Sequence, residues 1–75
     1  MPGIVFTNGC FDIIHPGHID LLQRAKGFGN YLIVGLNSDT SVSRIKPGRP
    51  INDQYFRRTI LQSIRWVDEV IIFND

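Results

Sequence analysis

The sequence has almost no cysteine and no long apolar run. Cys10 is the single cysteine among 75 residues, so no disulfide can form within the chain. No apolar run approaches the roughly 20 residues that a membrane helix requires, and no secretory apolar segment precedes the first predicted strand. These absences predict a soluble, cytoplasmic protein that does not bind a membrane.

The chain also lacks a strong net charge and a dinucleotide-binding motif. Its formal net charge is +1, which by itself does not indicate a polyanionic partner. Gly-x-Gly-x-x-Gly is missing after the first predicted strand, so a Rossmann dehydrogenase is not expected. The only histidines are His15 and His18. A structural zinc site would require further ligands from a histidine or cysteine cluster, and the chain has none.

The basic residues are concentrated in the second half of the chain. Six of the eight lie in one segment with a single acid, Asp53, among them: Arg44, Lys46, Arg49, Arg57, Arg58 and Arg65. Such a segment is suited to phosphates, although a solvated loop and the outer face of a helix have the same composition. No stacking-aromatic motif accompanies it, so a nucleic-acid partner is not expected.

The alternation of apolar runs and helical periodicity predicts an α/β fold in a single domain, residues 1–75. The predicted strands are residues 4–6, 31–36 and 70–73, and all three are expected to be buried. Between them lie a helix that Pro16 begins and a helix that Asn52 or Asp53 caps, with a short helical turn after Ser38 or Asp39. The order β-α-β-α-β predicts half of a doubly wound, Rossmann-like parallel sheet with strand order 3-2-1.

The turn between the first strand and the first helix is the best candidate for a site. Residues 7–18 place polar and glycine residues at the carboxyl end of a strand and at a helix start, where unpaired N–H groups favour an anion. His15 and His18 are three residues apart and lie on one side of the first helical turn. The alternatives for this pair are helix capping, solvent exposure and metal ligation.

Two motifs in this turn resemble a known signature. Gly-Cys-Phe-Asp at residues 9–12 and His-Pro-Gly-His at residues 15–18 are similar to the GxFD and HxGH motifs of the cytidylyltransferase-like nucleotidyltransferases, and nearly the whole chain follows that pattern. Residues 65–70 resemble the RYVDEV segment of glycerol-3-phosphate cytidylyltransferases. Residues 7–12 and 48–52 resemble the adenylyltransferase domain that acts on heptose 1-phosphate, so both branches remain open.

The resemblance implies a reaction and a set of site residues. A substrate phosphate attacks the α-phosphorus of CTP or ATP in line, CMP or AMP passes to a small phosphorylated polyol or sugar, and pyrophosphate leaves; Mg²⁺ is the expected cofactor. The residues implied are His15, His18 and Lys46 for catalysis, Gly9, Cys10, Phe11, Arg57 and Arg65 for the nucleotide, and Asp39 for the substrates. Surface charge is the alternative for the three basic residues, and helix capping for Asp39.

Asp12 has two interpretations. It could hold Mg²⁺ near the phosphates, or its carboxylate could accept hydrogen bonds from neighbouring amides in the turn, as aspartates commonly do.

The resemblance also implies that the domain is truncated. Family members continue for about as long again, through a Ser-Thr-Thr or Ser-Thr-Ser segment that binds the triphosphate. The alternative function is therefore a non-catalytic nucleotide-binding or assembly module. A chain of this size buries only about 60% of its unfolded surface, and homodimerisation is common in the family, so a homodimer or higher oligomer is expected.

Overall fold

The computed structural model describes residues 3–74 and contains one three-stranded parallel sheet. The elements in chain order are β1 (Ile4–Gly9), α1 (Pro16–Lys26), β2 (Tyr31–Asn37), α2 (Asp39–Ile45), α3 (Gln54–Gln62) and β3 (Glu69–Phe73). The strand order along the sheet is β1-β2-β3, with β2 in the centre. The α/β class and the parallel pairing are confirmed. That these strands are half of a larger doubly wound sheet with strand order 3-2-1 stays a prediction.

The second crossover contains two helices, so the observed order is β-α-β-α-α-β, and the short helical turn predicted after Ser38 or Asp39 is the helix α2. Ser38 caps α2 because its side chain accepts a hydrogen bond from the Ser41 N–H at 3.2 Å. The proline- and glycine-containing loop of residues 46–50 ends α2. A new helix then begins where Asp53 accepts from the Phe56 N–H at 2.8 Å. Two separate caps thus begin the two helices of this crossover.

The core lies on one face of the sheet. Side chains alternate along a strand, and Leu32, Val34 and Leu36 of β2 are all fully buried on the same face. Leu22 of α1 and Leu61 of α3 join them in one cluster. Both longer helices therefore pack against the same side of the sheet.

The opposite face is largely open, which corrects the prediction of three buried strands. Ile4 and Phe6 of β1 are 70% and 59% exposed, and Ile71 of β3 is 44% exposed. Apolar runs are typical of strands that are covered on both faces, whereas α1 and α3 both cover the other face here. Phe6 still packs over β2, because a Cβ added at Gly35 would lie 2.8 Å from the Phe6 Cζ.

An aspartate joins the amino-terminal end of β2 to the turn before β3. The Leu32 N–H donates to Asp68 Oδ2 at 2.7 Å, and the Asp68 N–H donates to the Leu32 carbonyl at 3.0 Å. Lys26, the last residue of α1, donates to the same carboxylate oxygen at 2.6 Å. Within residues 3–74, no helix combines the length and the apolar character of a membrane crossing.

Candidate functional site

The two histidines form the cap at the start of α1. His15 is the N-cap residue, and its Nδ1 accepts a hydrogen bond from the Gly17 N–H at 3.0 Å. His18 Nδ1 accepts in return from the His15 N–H at 3.2 Å, and the two rings lie 3.9 Å apart between centroids. This is the reciprocal arrangement of a capping box, built from imidazoles instead of a hydroxyl and a carboxylate. The helix start therefore fixes the positions of both rings.

The capping hydrogen bonds also fix which nitrogen of each ring carries a proton. Because Nδ1 accepts in both cases, the neutral imidazole carries its hydrogen on Nε2, which is then a donor. Burial lowers the pKa of His18, and the nearby positive charges of His15 and Lys46 lower it further. These effects favour the neutral form of His18, in which Nε2 carries the hydrogen.

Glycine is required between the two histidines. A Cβ added at Gly17 would lie 2.8 Å from His15 Cε1, closer than real side chains approach, so any side chain at position 17 would displace the capping ring. The absence of a side chain at position 17 therefore has a direct steric reason.

The turn after β1 is shaped by Phe11. Its ring is 5% exposed and belongs to the core cluster, and its backbone has φ of 47°, a region that bulky residues rarely adopt. A Cβ at Gly9 would lie 3.0 Å from Phe11 Cε2. Glycine at position 9 thus makes room for the Phe11 ring, and its predicted role in admitting a triphosphate stays a prediction.

A cavity of about 520 Å³ lies at the carboxyl end of β1 and the start of α1. It brings together most of the predicted site residues: Gly9, Cys10, Phe11, Asp12, His15, His18 and Lys46. Arg49 also lines it. Two cations and the imidazole donors therefore face one concave space, which suits a phosphorylated ligand.

A second cavity of about 510 Å³ lies along α1 on the other side of His15. It is lined by Ile14, His15, Pro16, Ile19, Asp20 and Gln23. Since it contains no lysine or arginine, it offers no fixed positive charge to a phosphate.

Asp12 holds the loop between α2 and α3. Its side chain is 4% exposed, and its two carboxylate oxygens accept from the backbone N–H groups of Ile51 at 2.8 Å and Asn52 at 2.9 Å. Arg49 Nε donates to Oδ2 at 2.6 Å. Burial by itself raises the pKa of Asp12, but the hydrogen bonds from Asn52 and Ile51 and the Arg49 guanidinium outweigh it and lower the pKa to about 2.

These hydrogen bonds favour the structural interpretation of Asp12. Both carboxylate oxygens are engaged by the loop, so the side chain does not fit the role of a magnesium ligand in this arrangement. Within residues 3–74, no group of three or more His, Cys, Asp or Glu side chains is placed to hold a metal ion.

Arg57 is fully buried and does not line the cavity. Its Nη1 donates to the carbonyl oxygens of Cys10 and Asn37, both at 2.8 Å. Its Nε donates to the Asn52 carbonyl and its Nη2 to Asp39 Oδ1, again at 2.8 Å. Arg57 thus ties the carboxyl ends of β1 and β2 to the loop, in contrast to its predicted contact with a nucleotide.

The structure does not bring Asp39 and Arg65 into the cavity either. Asp39 pairs with Arg57, and Ser38, not Asp39, caps α2, so the capping alternative for Asp39 is wrong. Arg65 lies beyond α3, with its guanidinium carbon 5.4 Å from the centre of the Trp66 ring. The direct ligand roles of Asp39, Arg57 and Arg65 stay predictions.

Comparison with known proteins identifies relatives across nearly the whole chain. Residues 6–75 match the family described as cytidylyltransferase-like. The chain is 58% identical over 73 residues to the bifunctional protein HldE of a Nitratiruptor species, covering 96% of this chain and 16% of that protein. It is 55% identical to the bifunctional protein HldE of Campylobacter jejuni, with the same coverage. The chain thus spans about a sixth of the length of these curated relatives.

A solved structure has the same fold over the same region. The lipopolysaccharide core biosynthesis protein from Thermoplasma volcanium superposes with a TM-score of 0.87 at 32% sequence identity. The superposition covers 95% of this chain and 57% of that protein. Over two fifths of the solved relative therefore has no counterpart here.

Proposed function

We propose that this chain, which belongs to the cytidylyltransferase-like family, forms the phosphate-binding part of a nucleotidyltransferase site. The observation that supports this most directly is the His15 and His18 capping box, which aligns two Nε2–H donors at a helix start. Lys46 lines the same cavity. The similarity to HldE proteins favours the adenylyltransferase branch, hence ATP and a sugar 1-phosphate, over CTP and glycerol 3-phosphate.

The reaction is a phosphoryl-type displacement that needs alignment and positive charge. An oxygen of the acceptor phosphate forms a bond to the α-phosphorus, the bond from that phosphorus to the β-phosphate oxygen breaks, and pyrophosphate leaves with the electron pair. The Nε2–H groups of His15 and His18 donate to phosphate oxygens whose negative charge grows in the transition state, and Lys46 adds charge. No protein nucleophile is required, so the Cys10 thiol has no role in the step.

Mg²⁺ remains a proposed cofactor without assigned ligands in this chain. The carboxylate predicted to hold it, that of Asp12, is engaged by Arg49, Ile51 and Asn52. We therefore assign no step of the displacement to the ion.

A second candidate function is nucleotide binding without turnover. It is favoured by the placement of Asp39, Arg57 and Arg65 outside the cavity. In this case the cavity binds the phosphates of a nucleotide, and another polypeptide segment would be required for the acceptor and the base.

A pyrophosphate-release assay distinguishes the two candidates. ATP and CTP are each tested against heptose 1-phosphate and glycerol 3-phosphate, with His15→Ala and His18→Ala as controls. The nucleotidyltransferase proposal predicts release by the wild type and a loss of about a hundredfold or more in each variant, as for removal of a transition-state donor. Nucleotide binding without release above these controls supports the second candidate, and absence of binding contradicts both.

His15→Asn separates capping from donation. Asparagine is a favoured N-cap residue, so this variant keeps a capping acceptor while it removes the Nε2–H donor. We expect a helical content equal to that of the wild type by circular dichroism and a loss of activity close to that of His15→Ala. Full activity in His15→Asn would show that His15 serves the helix alone.

The proposed homo-oligomer is tested by the mass of the purified chain in solution. The exposed Ile4, Phe6 and Ile71 side chains on the open face of the sheet provide apolar surface for a second copy. Light scattering coupled to size exclusion should then show a dimer or higher oligomer, and a stable monomer at micromolar concentration would contradict the proposal.

A further inference from the structure

Arg49 lies in the cavity with most of its donors uncommitted. Its side chain is 35% exposed, and it shares the cavity with His18 and Lys46. Of the five N–H donors of a guanidinium, the structure uses one, the Nε–H that Asp12 accepts at 2.6 Å. No residue in the described range 3–74 accepts a hydrogen bond from the Nη atoms of Arg49.

The position of the guanidinium is fixed by a buried carboxylate. Asp12 is itself held by the backbone N–H groups of Ile51 and Asn52, and the Asn52 side chain donates to the Asp12 carbonyl at 2.7 Å. The ion pair thus joins Arg49 to a turn that several hydrogen bonds hold, so its guanidinium is positioned in the structure without a ligand. A preorganised planar fork of this kind matches two oxygens of a phosphate.

A purely structural ion pair is the alternative interpretation. It accounts for the Nε contact and for the closed loop, but it does not require the remaining donors to face a cavity that already contains Lys46 and two imidazoles. A lysine at position 49 would satisfy Asp12 equally well through a single ammonium group. What distinguishes arginine at this position is the second edge of its guanidinium.

We infer that Arg49 is a further phosphate-binding residue of this cavity, with its Nη groups donating to phosphoryl oxygens, and that Asp12 is the residue that positions it. The inference rests on the proposed function and deepens it. The phosphate belongs either to the nucleoside triphosphate or to the phosphorylated acceptor, and both present tetrahedral phosphoryl groups with anionic oxygens.

Calorimetric titration of three variants tests this assignment. Wild type, Arg49→Gln and Arg49→Lys are titrated with ATP, with pyrophosphate and, separately, with heptose 1-phosphate. Arg58→Gln is the matched control, since Arg58 lies on α3 over the Tyr55 ring and does not line the cavity. We expect Arg49→Gln to weaken binding about tenfold or more in at least one arm, Arg49→Lys to give an intermediate loss, and Arg58→Gln to match the wild type.

The arm that changes identifies the source of the phosphate. A loss for ATP and pyrophosphate alone assigns Arg49 to the triphosphate, and a loss for heptose 1-phosphate alone assigns it to the acceptor. If the wild type binds none of the three ligands, the proposed function fails. If the wild type binds and a folded Arg49→Gln binds equally well in every arm, the inference is overturned while the proposed function stands.

Arg49→Lys keeps the test decisive if Arg49→Gln does not fold. The lysine ammonium can pair with Asp12 and hold the loop, so its fold is expected to persist, as checked by circular dichroism. Wild-type affinity in this variant for all three ligands would show that the guanidinium fork is not needed, and it would overturn the inference. Weakened binding with an unchanged melting temperature would support it.

Discussion

The two ends of the sheet are each held by an aspartate, and the two aspartates differ in burial. At the carboxyl end, Asp12 accepts from two backbone N–H groups and from Arg49, with its side chain 4% exposed. At the amino end, Asp68 accepts from one backbone N–H group and from Lys26, with its side chain 28% exposed. An aspartate that accepts from backbone N–H groups and from a cation therefore joins β2 to the turn before β3 at the amino end, and it helps to form the cavity at the carboxyl end.

The difference in burial decides how much each contact contributes. Hydrogen bonds from Lys26 and from the Leu32 N–H lower the pKa of Asp68, but an ion pair near water is screened and gains little stability. The Asp12 carboxylate is nearly buried, at 4% exposure of its side chain, and its removal would leave partly buried donors unpaired, which is costly. The contacts of Asp12 thus contribute more stability than those of Asp68. The carboxyl end of the sheet, where Asp12 lies, is also the end that contains the candidate site.

The largest effect is expected from Arg57, which holds the carboxyl end together. Arg57→Ala removes a fully buried side chain that donates to three backbone carbonyls, one of them buried and two partly buried, and should lower the free energy of unfolding by about 3 kcal/mol or more. Urea unfolding followed by circular dichroism measures the change. Arg58→Ala, on the same helix, is the control and should stay within about 0.5 kcal/mol of the wild type. An Arg57→Ala variant as stable as this control would contradict the view that the carboxyl end of the sheet is the more strongly held end.

The next largest effect is expected from the buried aspartate itself. Asp12→Ala leaves the Ile51 and Asn52 N–H groups and the Arg49 guanidinium without their acceptor, which should cost about 2 kcal/mol. The loop of residues 46–52 should also become a site of proteolysis. Limited digestion by proteinase K, a protease of broad specificity, with cleavage sites read by mass spectrometry, would show faster cutting within residues 46–52 in the variant. Equal cutting rates would mean that Asp12 does not hold the loop.

Lowering the pH should destabilise the protein through protonation of the Asp12 carboxylate. The pKa of Asp12 falls from 3.8 to about 2 on folding, so the stability that depends on its ionised form is present above about pH 4 and is lost as the pH falls towards 2. Urea midpoints measured between pH 5 and pH 2 should decline in the wild type. In Asp12→Asn the decline should be shallower, and an equally steep decline would assign the acid sensitivity to other groups.

The smallest effect is expected from the exposed aspartate. Asp68→Ala should destabilise the chain less than Asp12→Ala, because water can replace Lys26 as its partner. The difference from the wild type should shrink further in 1 M sodium chloride, where screening is strong. Thermal melts at low and high salt would measure it. A loss of stability as large as that of Asp12→Ala would show that the two aspartates do not differ in their contribution to stability.

The sequence predicts the elements of this fold better than their contacts. Pro16 at the first position of α1, Ser38 as a cap and Asp53 as a cap are local signals, and the structure confirms all three. Arg57 shows the limit of such signals, because its carbonyl partner at Cys10 is 47 residues away. Charge patterning places an arginine on the outside of a helix by default, and only the tertiary structure shows that this one is inside.

Only the local part of the candidate site was predictable from the sequence. The paired histidines stand in one short motif, so their proximity follows from helical spacing; their reciprocal capping bonds depend on ring orientation, which spacing does not determine. Asp12 and Arg49 are 37 residues apart, and neither their pairing nor the cavity they share is visible in the sequence. The one available signal was that Arg49 lies in the same short loop as Lys46.

The open face of the sheet determines how the chain behaves at high concentration. Ile4, Phe6 and Ile71 are exposed to water on that face, and the net charge of +1 provides little mutual repulsion between molecules. Attraction between apolar surfaces strengthens on warming from the cold. The solubility of the isolated chain should therefore fall on warming from the cold, governed by a surface that lies on the far side of the sheet from its packed core.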